Sequence, residues 1–395
     1  MKLILATTIP ATLYNLYSNQ LPYLINQGYD IELITSSGKG WITAIQLKEK
    51  YNLPVHVIPF TRKISFFSDI VCFFKIKKII KKTKPDIIHY STPKASLICA
   101  LSGFFYKKSI KIYTIRGIVY YEKKGPLYYL LLLCEKLTCF LSHFVICVSK
   151  SNMNYIIGKK ICNVSKIGIL GYGSSQGVDA NIRFNPANID NKKVIEEKIK
   201  LNISNKEVVF GFMGRLTREK GLKELIEAWE MLTKEKPDIV LIIIGPVDFC
   251  REKVDKKLIS IIKNAQTIRI IGNVNNPELY YKLMDVHILP SYREGFPNTV
   301  LEASAMEIPT ITTNATGCID SVIDGVTGFI VPAKNSIELY KKMLILANND
   351  ILRKQMGKKA RERVVKYYNP ELICKDLIYI FDNKKLPEIR KEDSI

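Results

Sequence analysis

The sequence predicts an α/β protein with two doubly wound, Rossmann-like parallel-sheet domains in tandem. Two observations predict this class. Short runs of Val, Ile and Leu alternate with longer amphipathic stretches along the chain, and such runs are typical of parallel strands buried on both faces. The chain also has 395 residues, which is more than one hydrophobic core usually supports.

The predicted strands form two series. The first covers residues 3–6, 31–35, 55–58, 87–89, 112–115 and 144–148, and the second covers residues 208–213, 239–244, 268–271, 286–289, 310–312 and 329–331. A polar, turn-rich interval at residues 174–206 separates them, and helices are predicted at residues 335–348, 350–367 and 369–381.

These elements predict a first domain over residues 1–200 and a second over residues 201–368. In the terminal segment, residues 369–395, we expect a helix that packs back on the first domain and a tail that frays from residue 384. Open parallel sheets bind ligands at the carboxyl ends of their strands, so two such domains facing each other would enclose a ligand cleft.

The net charge of +22 is concentrated in the first half of the chain. Residues 1–180 hold 24 Lys and Arg against 8 Asp and Glu, a net charge of +16. A positive field of this size attracts nucleic acid, an anionic membrane surface or phosphorylated substrates, and charge does not choose among them.

The apolar run after Met1 is too short for a signal peptide and lacks a cleavage pattern, so we expect a first strand and a cytoplasmic protein. The nine cysteines show no metal or disulfide spacing, and Cys72, Cys99 and Cys147 lie in apolar runs, as small buried hydrophobes do.

The longest apolar stretch, residues 126–148, is interrupted by Glu135, Lys136 and His143. A membrane-spanning helix tolerates such residues poorly. The stretch therefore predicts an apolar helix at residues 127–141 followed by a buried strand.

Residues 293–303 predict a turn that runs straight into a helix. Gly295 permits an unusual backbone conformation, and Pro297 fixes φ where a helix can begin. The N–H groups of Asn298 and Thr299 are then available to an anion, and a diphosphate would fit there.

Two glutamates flank this turn. Glu294 lies within it, and Glu302 lies about one helical turn further in, where its carboxylate can accept hydrogen bonds from vicinal hydroxyls such as those of a ribose. The alternative is an ordinary capped helix with two solvated acids.

A basic loop follows the predicted strand at residues 208–213 and precedes a helix. In this loop Arg215 offers a planar fork to phosphate oxygens and Lys220 offers a mobile point charge, each contact being worth about 1.5 to 3 kcal/mol. The alternative is a solvated loop with ordinary surface cations.

The two motifs occur together and in order, as Gly-Arg-x4-Lys-Gly at residues 214–221 and Leu-Pro-Ser-x2-Glu-Gly-Phe-Pro-x4-Glu-Ala at residues 289–303. This combination resembles the family 4 retaining glycosyltransferases of the GT-B fold. The similarity spans essentially the whole second domain, and it continues in the first domain in Pro-Asp-x2-His at residues 85–89 and Thr-Pro-Lys-Ala at residues 92–95.

The resemblance implies that Arg215 and Lys220 hold the diphosphate of a nucleotide-sugar donor, that Glu302 holds the ribose and that Glu294 contacts the transferred sugar. Backbone groups would close around the sugar and phosphates at Gly295, Phe296, Pro297, Asn298 and Thr299. The expected donor is a UDP-linked hexose or N-acetylhexosamine.

Cations and helix N-termini can stabilise the charge that grows on the departing diphosphate. The chain has no Asp-x-Asp loop, so we expect no metal and no cofactor. The family is commonly explained by front-face attack with retention, in which the departing phosphate oxygen assists the acceptor hydroxyl, so Glu294 and Glu302 need not be an acid–nucleophile pair.

In the first domain, His89 ends a predicted strand at the ligand edge and Lys94 opens the next helix. Both could meet the acceptor or a phosphate, although a strand-end histidine is as often simply packed.

Many relatives carry histidine where this chain has Arg116, which weakens a general-base role and suggests a phosphate or acidic group on the acceptor. Thr8 and Thr12, in a loop without the paired glycines of many relatives, are further acceptor-side candidates.

Residues 66–82 predict a helix with aromatic side chains along one side and Lys75, Lys78 and Lys82 along another. Such a helix can lie on anionic lipid. The alternative is a Rossmann-type helix with a solvated basic face.

The preferred function is a peripheral enzyme at the inner face of a bacterial cytoplasmic membrane. It would transfer sugar to a polyprenyl-diphosphate-linked acceptor in capsule, lipopolysaccharide or other surface-glycan assembly. A sugar-nucleotide epimerase and a glycogen-type synthase are alternatives on the same fold. A nucleic-acid-binding protein is disfavoured, because the chain lacks interleaved aromatic residues on a basic strand face and a docking helix.

Overall fold

The computed structural model describes residues 1–38, 42–61, 65–246 and 256–393. The chain folds into two compact units. The first comprises Met1–Gly177 and Pro370–Lys391, and the second comprises Val178–Asn369 and the residues from Glu392 onward.

The first unit contains a seven-stranded parallel sheet with the order β3-β2-β1-β4-β5-β6-β7. Its strands are β1 (Lys2–Ala6), β2 (Asp30–Thr35), β3 (Val55–Val57), β4 (Ile87–Ser91), β5 (Ile110–Ile115), β6 (Phe144–Cys147) and β7 (Ile167–Ile169). The strand order reverses between β1 and β4, and the loops that follow these strands border the ligand edge of a doubly wound sheet.

Helices cover both faces of this sheet. They are α1 (Pro10–Leu16), α2 (Gln20–Asn26), α3 (Ala44–Tyr51), α4 (Phe66–Thr83), α5 (Pro93–Phe104), α6 (Pro126–Leu141), α7 (Lys150–Gly158) and the C-terminal α15 (Pro370–Asn383). One core contains buried residues of α1, α2, α3 and α15, and the other contains those of α4 to α7.

The second unit contains a six-stranded parallel sheet with the order β10-β9-β8-β11-β12-β13. Its strands are β8 (Val208–Met213), β9 (Ile239–Ile244), β10 (Ile268–Gly272), β11 (Val286–Leu289), β12 (Thr310–Thr313) and β13 (Gly328–Val331). Its helices are α8 (Asn191–Lys200), α9 (Leu222–Glu235), α10 (Lys256–Asn264), α11 (Pro277–Tyr281), α12 (Asn298–Ala305), α13 (Ser336–Asn348) and α14 (Asp350–Tyr367).

The structure confirms the predicted fold class, and every predicted strand is present. One strand was missed. β7 has only three residues, Ile-Gly-Ile, and so short a run carries too little hydrophobic periodicity to be recognised.

The interval at residues 174–206 differs from the prediction. It contains α8, a helix with no buried side chain, so the expected apolar stripe was absent. The second unit begins at Val178, whereas residue 201 was predicted. The residues from Val178 to Phe184 hydrogen bond to helix α14 and to Tyr368, the residue that follows it. The Val178 N–H lies 3.0 Å from the Tyr368 carbonyl oxygen, and Arg361 donates to the carbonyl oxygens of Ala180 and Phe184.

The tail was predicted to fray from residue 384, but over the described residues two of its charged side chains have ion-pair partners. In the first unit, the Arg390 guanidinium contacts both oxygens of Asp376 at 2.5 and 2.8 Å. In the second unit, Arg363 donates to both oxygens of Glu392 at 2.7 and 2.9 Å. Charged tail residues therefore have defined partners, while residues 394 and 395 lie outside the described ranges.

Cys72, Cys99 and Cys147 are buried with free thiols, which confirms the prediction that they act as small hydrophobes. Among the helices in the described part of the chain, none is long and apolar enough to cross a membrane.

Candidate functional site

Three loops of the second unit meet at the carboxyl edge of its sheet. They follow β8, β11 and β12, which are adjacent in the sheet. Gly221 has φ of +70°, and a Cβ atom there would lie 2.0 Å from the Pro290 carbonyl oxygen. Gly317 has φ of +79°, and a Cβ atom there would lie 2.5 Å from the Glu294 carbonyl oxygen. Glycine at both positions therefore lets the three backbones pack directly together.

Backbone hydrogen bonds hold the same three loops in register. The Tyr292 N–H donates to the Glu219 carbonyl oxygen at 2.8 Å, and the Glu294 N–H donates to the Thr316 carbonyl oxygen at 2.9 Å. The side chains on these loops are thus placed by the backbone.

Lys220 and Glu294 form an ion pair across two of the loops. The Ser291 hydroxyl donates to the same carboxylate oxygen of Glu294 at 2.8 Å. Both charged side chains are largely shielded from solvent, so the pair interacts more strongly than a surface pair would.

Two arginines share a second carboxylate beside this pair. Arg293 Nη2 lies 2.6 Å from Glu219 Oε2, and Arg215 Nη2 lies 3.7 Å from Glu219 Oε1. Arg215 was predicted from the sequence, whereas Glu219 and Arg293 were not. Their positions next to Lys220 and Glu294 in the two motifs were the available signal. The site therefore holds three cations and two carboxylates, and this net positive charge favours the binding of an anion.

The start of α12 follows the prediction in part. Pro297 is the N-cap residue with φ of −77° and ψ of 106°, and the helix begins at Asn298. The N–H groups of Asn298 and Thr299 make no hydrogen bond within the described ranges, so they are available to a ligand. Gly295, expected to permit an unusual backbone conformation, does not have a positive φ. Gly317 does, and a Cβ atom there would also lie 2.5 Å from the Gly295 carbonyl oxygen.

Other groups around this edge are either packed or lack a partner. Phe296 is buried and its ring centroid lies 5.4 Å from that of Tyr368. Three buried oxygens near this edge, Thr217 Oγ1, Asn298 Oδ1 and Thr316 Oγ1, have no hydrogen-bond partner among the residues that the structure describes. Because buried polar atoms normally find partners, these oxygens are candidates for contact with a bound ligand.

Glu302 lies one turn into α12 and is held by a buried tyrosine. The Tyr281 hydroxyl lies 2.9 Å from Glu302 Oε2 and 3.1 Å from the Thr299 carbonyl oxygen. Burial raises the pKa of the Glu302 carboxyl to about 7, against the opposing effects of Tyr281 and Arg183. Tyr281 was missed in the sequence, because it lies 21 positions upstream and only the fold brings it to Glu302.

In the first unit, His89 does not end its strand as predicted, because β4 continues to Ser91. The side chain is buried, its Nε2 atom lies 2.7 Å from Thr114 Oγ1, and its ring lies edge-on to Tyr17 at 5.8 Å. Burial, with a contribution from Arg116, lowers the pKa of His89 to about 3. A histidine in this environment is neutral near pH 7 and is a poor base, so the geometry favours a packing role.

Arg116 directly follows β5 at the same edge of the sheet. Its guanidinium lies 4.4 Å from the centroid of the Tyr17 ring. The Nε and Nη1 atoms are buried and have no hydrogen-bond partner among the residues described. An arginine held by an aromatic ring and not by a carboxylate retains its charge for an external anion.

Of the remaining candidates of the first unit, Thr8 and Lys94 have internal side-chain partners. Thr8 and Thr92 share a hydrogen bond of 2.8 Å between their hydroxyls, and Thr92 has φ of +75°, which is unusual for a β-branched residue. Lys94 pairs with Asp69 of α4 at 2.8 Å, a contact that was not predicted. Thr12 lies in the first turn of α1 and is partly exposed.

Within the described ranges, no group of three or more His, Cys, Asp or Glu side chains is arranged to hold a metal ion.

The two parallel-sheet α/β units define a GT-B glycosyltransferase fold. A solved structure of HepE from Anabaena in complex with UDP-glucose matches with a TM-score of 0.80 and 18% identity, over 97% of this chain and 100% of that chain. At this level of identity the match concerns the fold.

Two family models match the sequence, "Glycosyltransferase Family 4" over residues 18–169 and "Glycosyl transferases group 1" over residues 193–363. The capsular polysaccharide biosynthesis glycosyltransferase CapM of Staphylococcus aureus is 34% identical over 92% of each chain. The UDP-Gal:α-D-GlcNAc-diphosphoundecaprenol α-1,3-galactosyltransferase of Escherichia coli is 26% identical over 78% of each chain. The chain therefore belongs to the family 4 glycosyltransferases, as its motifs predicted.

Proposed function

We propose that this glycosyltransferase moves a hexose or N-acetylhexosamine from a UDP donor to a polyprenyl-diphosphate-linked acceptor in surface-polysaccharide assembly. The observation that carries the proposal is the clustering of Arg215, Lys220 and Glu294 beside the N-terminus of α12. This cluster combines cations and free N–H groups for a diphosphate with a carboxylate for sugar hydroxyls.

The donor assignment follows from the chemistry of each group. Lys220 and Arg215 would bind the diphosphate, and the free N–H groups of Asn298 and Thr299 would add hydrogen bonds at a helix N-terminus. Glu302 would accept hydrogen bonds from the ribose hydroxyls, while Tyr281 holds its other oxygen. The names of the E. coli relative and of the HepE complex both include UDP-linked sugars, which supports UDP as the nucleotide.

In the proposed reaction, the acceptor hydroxyl oxygen bonds to the anomeric carbon while the bond from that carbon to the diphosphate oxygen breaks. The proton of the acceptor hydroxyl passes to the departing phosphate oxygen, and UDP leaves. Attack on the face from which UDP departs retains the anomeric configuration. Lys220 and Arg215 stabilise the negative charge on the leaving group without a metal ion.

Glu294 has a positioning part in this scheme. In the structure it pairs with Lys220 and accepts a hydrogen bond from Ser291. When the donor binds, the diphosphate takes over the charge of Lys220, and the carboxylate can then accept hydrogen bonds from the sugar hydroxyls. This exchange orients the sugar and the leaving group together.

The acceptor is assigned to the first unit, where Arg116 lies at the carboxyl edge of the sheet. Its guanidinium has no carboxylate partner among the described residues, which suits the diphosphate of a lipid-linked acceptor. The name of the E. coli relative specifies a diphosphoundecaprenol acceptor, which supports this class. An acceptor of this kind resides in a bilayer, so we place the enzyme on the cytoplasmic face of the membrane as a peripheral protein.

The test is a panel of UDP-, GDP- and ADP-sugars incubated with the protein and polyprenyl-diphosphate-linked acceptors, with products identified by mass. We expect an increase of one hexose or N-acetylhexosamine only with a UDP-sugar and a lipid-linked acceptor. Transfer without any lipid-linked acceptor would favour a glycogen-type synthase, and conversion of the donor alone would favour an epimerase. Adding EDTA should leave the rate unchanged, and the anomeric proton coupling of the product reports retention.

A further inference from the structure

Helix α6 is apolar on both sides, because Leu131 and Leu132 pack against the core while other large apolar side chains face outward. Glu135, Thr138 and Cys139 are buried against the sheet, whereas Leu133 is 63% exposed and Phe140 is 74% exposed. The buried Glu135 accepts a hydrogen bond of 2.9 Å from the Tyr113 hydroxyl. A helix that faces water carries its large apolar residues inward, so the outer side of α6 is suited to a different surrounding.

Four exposed apolar side chains of α6 lie along one line of the helix. They are Leu130, Leu133, Leu137 and Phe140, spaced three and four residues apart. We refer to these four residues as the α6 ridge. Leu127 and Tyr129 extend the exposed apolar surface at the start of the same helix.

The apolar surface continues across neighbouring helices. Helices α4, α5 and α6 pack side by side in one layer, because α5 contacts both of the others. Phe67 on α4 is 83% exposed and Phe105 at the end of α5 is 62% exposed. The Phe73 and Phe105 rings lie 6.1 Å apart and join the two helices. Such an extended apolar surface marks an interaction site.

Cations surround this surface. The exposed lysines are Lys75, Lys77, Lys78, Lys81 and Lys82 on α4, Lys107 and Lys108 after α5, and Lys123, Lys124 and Lys136 before and on α6. Asp69 of α4 is already paired with Lys94. Pairing this face with the same face of a second copy would bring like charges together, whereas an anionic surface would be attracted.

We propose that the α6 ridge and the aromatic side chains of α4 dock this protein onto an anionic lipid bilayer. The ridge enters the boundary between headgroups and acyl chains, with α6 parallel to the membrane plane, and the lysines contact the headgroups. This inference rests on the proposed function in one respect: an enzyme that uses a lipid-linked acceptor must work at the bilayer surface. It assigns the surface that makes the contact.

The test is sedimentation of the full-length protein with two kinds of vesicle, one of phosphatidylcholine alone and one that also contains about 30% phosphatidylglycerol. The second composition approximates the anionic lipid content of a natural membrane. The ridge variant combines Leu133→Ser, Leu137→Ser and Phe140→Ser. The matched control combines Ile199→Ser and Ile351→Ser in the second unit, where the side chains are 74% and 68% exposed. All proteins are compared by thermal unfolding to exclude loss of the fold.

We expect the ridge variant to bind anionic vesicles at least about tenfold more weakly than the parent, because three apolar side chains no longer enter the bilayer. The control should stay within about twofold, because exposed residues away from the surface do not contribute. Lys75→Gln, Lys78→Gln and Lys82→Gln together should reduce binding to anionic vesicles but not to neutral ones. Undiminished binding of the ridge variant would overturn the proposal.

Two further measurements separate the alternatives. Light scattering without lipid should show one oligomeric state for the parent and the ridge variant, and conversion of a parental dimer to a monomer would identify a second copy as the partner. Sugar transfer to a short-chain, water-soluble acceptor should be equal in both proteins. Ridge-dependent vesicle binding without any sugar transfer would leave the docking surface standing and overturn the proposed function.

Discussion

Lys220 and Glu294 form an ion pair although they are 74 positions apart, because Gly221 allows the loop after β8 to lie against Pro290. The contact joins the two sequence motifs at one edge of the sheet. In the proposed enzyme, this pair is the point at which the donor diphosphate and the transferred sugar meet.

Arg215 should contribute to donor turnover, whereas Arg218 in the same loop should not. Arg215→Ala removes one charge-assisted contact and is expected to cost about 1.5 to 3 kcal/mol in kcat/KM for the donor. Arg218 is exposed, and Arg218→Ala serves as the matched control. Initial rates at varied donor concentration provide the measurement. Equal losses in the two variants would mean that the loop acts only through its overall charge.

Glu302 should make donor affinity depend on pH. In the proposed donor site its carboxylate form would accept hydrogen bonds from the ribose, so donor binding would favour the deprotonated group, whose pKa is raised to about 7. Affinity for UDP should therefore rise as pH increases from 6 to 8, and fall by up to about tenfold per pH unit below the pKa. In Glu302→Gln the part of the pH dependence that comes from residue 302 should disappear, so that only the titration of the UDP phosphate changes the affinity with pH. Identical pH profiles by calorimetry would remove Glu302 from the ribose site.

Arg116 should act on the acceptor and not on the donor. Arg116→Met is expected to raise the acceptor KM, with a loss of about 1.5 to 3 kcal/mol in kcat/KM for the acceptor. Arg116→Lys should rescue only part of this loss, because lysine keeps the charge but not the planar group that stacks on Tyr17. Steady-state kinetics with each substrate varied in turn gives the comparison. A higher donor KM with an unchanged acceptor KM would reassign Arg116 to the donor.

Glu135 should make folding stability fall as pH rises. Burial raises its pKa to about 7 in the folded state, so between pH 4.5 and 7 the folded state binds more protons than the unfolded state. Above pH 7 the loss of this proton then lowers the free energy of unfolding by on the order of 3 kcal/mol. Glu135→Gln keeps an acceptor for Tyr113 and removes the titration, so its advantage over the parent should grow from pH 5 to pH 8. Parallel stability curves by denaturant unfolding would contradict this, and Glu122→Gln at an exposed position is the control.

Much of the fold was predictable from the sequence, because runs such as Ile239–Ile244 are apolar throughout, as parallel strands are. The start of α12 was predictable because Pro297 constrains the backbone locally. β7 and α8 escaped prediction because the first is very short and the second buries no side chain.

Contacts between distant segments were beyond local patterns. Tyr281 beside Glu302 and Asp69 beside Lys94 are brought together only by the packing of separate helices. The orientation of α6 was also hidden, because a helix rich in leucine does not reveal which side faces the core. Glu135, which interrupts the apolar run, proved to face inward.

The measurement that tests the central claim most directly is calorimetric titration of UDP into the parent protein, Lys220→Met and Lys223→Met. Lys220 belongs to the proposed diphosphate site, whereas Lys223 is an exposed residue on α9. We expect the parent and Lys223→Met to bind UDP within about twofold of each other, and Lys220→Met to bind about tenfold or more weakly. Equal affinity in all three proteins, or no UDP binding by the parent, would contradict the account.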